Sequence, residues 1–78
     1  MNTKHILHNF QEIQEEVEIV LAGVKREENY LEKEFMASVQ HLIHHLNVAW
    51  NARNATMEEA AEGNLDRWSH FPTDIKLV

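Results

Sequence analysis

Six of the 78 residues are histidines, and His41, His44 and His45 crowd into one short stretch. His41 and His45 lie four apart, a spacing that on a helix puts two imidazoles on one face, where they can share a metal ion. If the chain forms an antiparallel hairpin turning near residue 27, facing positions sum to about 54, as the geometry of paired helices requires. His8 then comes level with Leu46 and Glu12 level with Leu42, so a third ligand is within reach. The apolar pattern described below nevertheless assigns His8, Glu12, Glu15 and Glu16 to the outer side of the first helix. The expectation is therefore helix-surface or rim histidines and no cofactor, with His41 and His45 the pair that a divalent metal would use.

Carboxylates offer a second possible chemistry. The run Glu12-Ile13-Gln14-Glu15-Glu16 resembles, over those five residues, the acidic signature of the all-helical nucleotide pyrophosphatases of the MazG type. That resemblance implies carboxylates on two helices holding Mg²⁺ on a triphosphate, with Glu12, Glu15 and Glu16 as one half of the set. The other half is an acidic pair of the form Glu-x-x-Asp on the facing helix, and here no Asp or Glu occurs between Glu34 and Glu58. Mg²⁺ chemistry requires convergent carboxylates. A metal-dependent helical hydrolase or a histidine-based metal protein is thus the alternative reading. Ser38 near His41, and Ser69 beside His70 and Asp74, are sequence neighbours, whereas triads are defined by geometry. The two glycines form no phosphate-cradling loop.

A polar ridge runs along the end of the second apolar segment, where His44, Asn47, Asn51 and Asn54 recur at helical spacing although Asn is a weak helix former. Such amides need partners. One reading makes them the seat of a folded-back C-terminal segment whose backbone they satisfy. The other makes His44, Asn47, Trp50, Asn51 and Arg53 a recognition surface, since Trp and Arg are enriched at interface hot spots.

These residues are carried by two apolar patterns. Ile6, Phe10, Ile13, Val17, Val20 and Val24 step by four and three, the seam of an amphipathic helix capped by Thr3 and running from Lys4 to Lys25. Asn29-Tyr30-Leu31-Glu32 reads as a capping box for a second helix, with the chain reversing between Lys25 and Asn29. The rival is one continuous helix from Thr3 to Arg53, far longer than the usual length of about 11–12 residues. On the second helix Phe35, Val39, Leu42, Leu46 and Ala49 form a seam, flanked by Met36, Ile43 and Trp50 at seven-residue intervals. Thr56-Met57-Glu58-Glu59 opens a short helix that Gly63 stops, and Asn64 caps a further turn through Trp68. Pro72 ends regular structure, leaving Trp68 and Phe71 to anchor the extension on the hairpin.

Size and charge narrow the function classes. A chain of 78 residues without cysteine has neither disulfide nor thiolate chemistry, and is near the lower limit for a self-sufficient core. Thirteen acidic residues against seven basic ones give a net charge of −6, with the basic residues scattered, so nucleic acid is a poor partner. No apolar run is long enough to cross a membrane and the start lacks the pattern of a signal peptide, which makes a cytoplasmic location the expectation. The sequence thus predicts an all-α single domain over residues 1–78: an antiparallel hairpin over about 3–53 and an extension over about 56–78. Its apolar stripes are too wide for two helices to cover, so a homodimeric four-helix bundle is expected, with Met36, Ile43 and Trp50 at the protomer interface. The function expected is that of a non-catalytic interaction or regulatory module with a protein partner.

Overall fold

The computed structural model describes residues 1–26, 29–63 and 65–77. Among them all regular structure is helical: α1 (Thr3–Arg26), α2 (Glu32–Asn51), α3 (Met57–Glu62) and α4 (Leu65–Trp68). The two long helices pack antiparallel as a hairpin. Asn2 meets Arg53 at one end, His45 meets Asn9 along the way, and Tyr30 covers Gly23 at the other end. The expected facing rule near 54 holds throughout, and the continuous-helix alternative does not occur.

The helix ends differ from expectation in two places. Asn2, not Thr3, caps α1, its side-chain oxygen accepting from the His5 N–H at 3.1 Å and its carbonyl from the Ile6 N–H at 3.1 Å. The same residue donates its N–H to the Arg53 carbonyl at 2.7 Å and its amide to the Ala55 carbonyl at 3.1 Å, so one side chain both starts α1 and ties it to the end of α2. Asn29 does not cap α2. Leu31 occupies that position in extended backbone without a side-chain cap, while Asn29 takes a left-handed conformation with φ 64°. Asparagine tolerates that region better than most residues, so the turn uses it for backbone reversal instead. Residues 27 and 28 of the expected turn lie outside the described set, as does Asn64, the expected cap of α4.

The capping box at Thr56 forms in full, with Glu59 N–H to Thr56 Oγ1 and Thr56 N–H to Glu59 Oε1 both at 3.1 Å. Gly63 ends α3 in the left-handed conformation. These short helices bring Trp68 to 4 % exposure against Val48 and Ala52, where the small core sits. Phe71 is not the second anchor that the sequence predicts. It is 63 % exposed, because the hydrogen bonds that hold this stretch are made by its backbone rather than its ring.

The largest departure concerns which faces meet. On α1, Asn9, Glu12 and Glu16 face α2, His5 faces Trp68 and Gly23 faces Tyr30, and each is the chain neighbour of a seam residue: Phe10, Ile13, Val17, Ile6 and Val24. On α2 the same holds, with Ser38, His41, His45 and Val48 preceding Val39, Leu42, Leu46 and Ala49. Consecutive helical residues point about 100° apart. Phe10, Val17 and Val24 on α1 and Phe35 and Leu46 on α2 are therefore turned to one side of the hairpin, whereas Ile6, Ile13, Val20, Val39 and Leu42 are half-buried and Ala49 is buried. Phe10, Val17 and Val24 stay 49 %, 40 % and 52 % exposed, and Phe35 and Leu46 are 44 % and 49 % exposed.

Gly23 is what lets this end of the hairpin close. A Cβ there would lie 2.6 Å from Cδ1 of Tyr30, well inside van der Waals contact. Helix propensity alone credits Gly→Ala with about 1 kcal/mol, but overpacking of this kind costs about 1–3 kcal/mol. Gly23→Ala should accordingly lower unfolding stability by about 1 kcal/mol net in urea titration. A gain in stability would show that the ring is not seated on this glycine.

Candidate functional site

Between the helices lies a line of polar side chains. Asn9 is 2 % exposed, and its amide nitrogen donates to the His5 carbonyl at 3.0 Å, which turns its oxygen toward Nδ1 of His45 at 2.9 Å. His45 therefore carries its hydrogen on Nδ1 and donates it to Asn9, leaving a lone pair on Nε2. That lone pair faces Nε2 of His41 at 3.0 Å. On the far side of the His41 ring, Nδ1 lies 3.5 Å from a Glu16 carboxylate oxygen. Glu12 completes the group, with one carboxylate oxygen and one nitrogen of each imidazole all within 4.8 Å of one another.

The expectation that Glu12, Glu15 and Glu16 all point to solvent, divided from the imidazoles by the apolar seam, fails for two of the three. Glu12 and Glu16 are half-buried against His41 and His45, whereas Glu15 is exposed. The reason is the rotation described above: with the seam turned aside, the positions next to it become the inward ones. Sequence placed these acids at the correct level along the hairpin but on the wrong side of it. His8 remains exposed and His44 is half-buried, its ring set edgewise to His45 with centroids 5.2 Å apart.

The polar ridge holds the C-terminal extension. Asn47, 6 % exposed, donates to the Ser69 carbonyl at 3.0 Å, and the Asn51 amide donates to the carbonyls of Trp68 and His70 at 2.8 and 2.7 Å. Asn54 is exposed. Arg53 stacks on the Trp50 ring at 3.8 Å, donates to the Trp50 carbonyl at 2.9 Å, and pairs with Asp74 at 3.3 Å. The Trp50 indole donates to Asp74 at 2.8 Å, and this bond, supplemented by Arg53, holds the Asp74 carboxyl below its usual range. Asp74 is thus committed to Trp50 and Arg53, and His70 Nδ1 to the Phe71 carbonyl, so Ser69, His70 and Asp74 form no relay.

An apolar groove of about 450 Å³ opens where α1, α2 and the extension meet, with Ile6, Phe10, Leu46, Trp50, Phe71 and Ile75 among its lining residues. Of the expected interface residues, Trp50 lines this groove and is half-buried, Ile43 is half-buried, and Met36 is 56 % exposed on the flank.

No protein-family model matches the chain, and no curated protein or solved structure is matched by it. The donors that converge are two imidazoles and the carboxylates of α1, because the facing stretch of α2 carries no acid between Glu34 and its end. The carboxylates on two facing helices implied by the pyrophosphatase resemblance are therefore not assembled among the described residues of the hairpin. No described helix is long and apolar enough to cross a membrane.

Burial holds His5 below its ordinary value of 6.5, with His8 adding to the effect. His45 is lowered in the same way, by burial first and then by His41 and His44, against an opposing contribution from Glu12. A depressed histidine stays neutral in the fold at pH values where the unfolded chain already binds a proton. The stability it contributes is full above the unfolded value and is lost as pH falls from there through the folded one. The urea midpoint, measured with chelator present, should therefore drop on acidification from pH 7.5 to 5. His5→Phe keeps a ring against Trp68, whose centroid lies 5.7 Å from that of His5, and should show a smaller drop. Equal slopes for the two proteins would remove His5 from the account.

Proposed function

We propose that the chain is a non-catalytic interaction module that works as a small acidic homodimer, two hairpins pairing into a four-helix bundle. The observation that carries this reading is the shared one-residue offset, which gathers Phe10, Val17, Val24, Phe35 and Leu46 on one side of the hairpin. The occupant of that face is a second copy of the chain. A single chain buries Val48, Ala49, Ala52 and Trp68 as its hydrophobic core, a small reserve for 78 residues. Two hairpins placed face to face would add Phe10, Val17, Val24, Phe35 and Leu46 from each, and burying the half of each side chain still exposed contributes about 1 kcal/mol apiece. A twofold axis suits a face that is the same on both copies. Met36, Ile43 and Trp50 continue this face on its flank.

The outer contact residues for a protein partner are His44, Trp50 and Arg53, with Asn47 and Asn51 fixing the extension beside them. The stack of Arg53 on Trp50 and its tie to Asp74 pre-order two long side chains, which lowers the entropy cost of docking. Clustered acidic side chains on the outer faces keep such a bundle soluble and favour partners of opposite charge.

Sedimentation equilibrium at micromolar concentration should give twice the 9.2 kDa chain mass. Val17→Lys and Leu46→Lys place charges on the shared face at half-exposed positions, and each should yield a helical monomer with lowered stability. A wild-type monomer that retains full helicity and cooperative unfolding would overturn the dimer.

A further inference from the structure

We infer that Glu12, His41 and His45 bind one divalent transition-metal ion of the Zn²⁺ type between the two helices. Ligand atoms of all three side chains converge on one position there. Asn9 holds the hydrogen of His45 on Nδ1, and the Glu16 carboxylate favours a hydrogen on Nδ1 of His41. Without an ion, the 3.0 Å between the two Nε2 atoms is a hydrogen bond from His41 Nε2–H to the His45 lone pair; a metal ion seated there would take the place of that hydrogen, leaving the hydrogen of His41 on Nδ1 beside Glu16. Two nitrogen ligands at about 2.0–2.1 Å from a tetrahedral zinc are about 3.3 Å apart. The observed separation is within a few tenths of an ångström of that value, so slight ring rotations would seat the ion.

Each imidazole already has the outer partner that metal-bound histidines require, an amide oxygen for His45 and a carboxylate for His41. Glu12 supplies the third ligand from the opposite helix. Two imidazoles and one carboxylate suit Zn²⁺ and its neighbours, whereas Mg²⁺ and Ca²⁺ take all-oxygen sets. Three protein ligands leave a fourth position, and the exposure of the His41 side chain, 46 %, opens it to solvent. The ion would cross-link α1 and α2 midway along the hairpin, independently of whether the apolar face is paired.

The test is calorimetric titration of the chelator-treated full chain with Zn²⁺, Co²⁺ and Mg²⁺. One Zn²⁺ per chain should bind tighter than about 1 μM, Co²⁺ should develop the intense visible absorption of a four-coordinate site, and Mg²⁺ should not bind. His41→Ala/His45→Ala should abolish binding. Alanine favours helix although Asn9 loses its imidazole partner, so circular dichroism should show the variant helical with lowered stability. Glu16→Gln, which leaves all three ligands in place, should weaken Zn²⁺ roughly 10- to 100-fold. Absence of Zn²⁺ binding by the wild type, or binding unchanged in the double variant, would overturn the site. Either result can be obtained with a dimer or a monomer, and so stands apart from the proposed assembly.

Discussion

Asn9 meets His45 through a 2.9 Å hydrogen bond across the hairpin, and this pairing fixes the rotation of both helices about their own axes. A buried amide left without partners would cost about 1–3 kcal/mol. Asn9 avoids that by giving its N–H to the turn before it and its oxygen to the imidazole. Once Asn9 and His45 face inward, the helical repeat carries Glu12, Glu16 and Gly23 inward on one helix and Ser38, His41 and Val48 on the other. The neighbouring seam positions are then turned to one side. The arrangement sets a polar line beside the half-buried part of the seams, and that line is narrow at Gly23 and Ser38, both buried.

Two consequences follow from that rotation. Hydrophobic surface that would ordinarily hold a hairpin together remains outside it, and the core retreats to Val48, Ala52 and Trp68, where the extension returns. Asn9 is enclosed and Glu12, Glu16 and His45 are half-buried, with His41 open to solvent at their edge. The proposed dimer answers the first consequence and the proposed metal ion the second. Asn2 and Asn51 serve the same economy at one end of the molecule, each satisfying two or more backbone groups of a distant segment.

The helices, their antiparallel pairing and the register of that pairing were legible because four-three spacing, capping residues and Gly63 are local signals. Thr56 with Glu59 shows this best, since both halves of the box lie within one turn. Rotation about the helix axis was not legible. Hydrophobic periodicity identifies a seam but not what covers it, and in this chain Asn9 and His45, 36 residues apart, outweigh the seam in choosing the inward face. Glu12 was placed level with its partners for that reason and yet assigned outward. Asn2 and Thr3 carry equally good local capping signals, since both residue types favour that position, and the bonds to Arg53 and Ala55 that single out Asn2 are long-range.

The rotation is tested most directly by a double-mutant cycle on Asn9 and His45, with Asn9→Ala, His45→Ala and the pair compared by urea unfolding at one protein concentration with chelator present. If the two side chains face each other between the helices, the single losses should fail to add by about 1 kcal/mol. Additivity within about 0.3 kcal/mol would contradict it, because it would mean that the residues point away from one another and that the apolar seams form the interface within the hairpin.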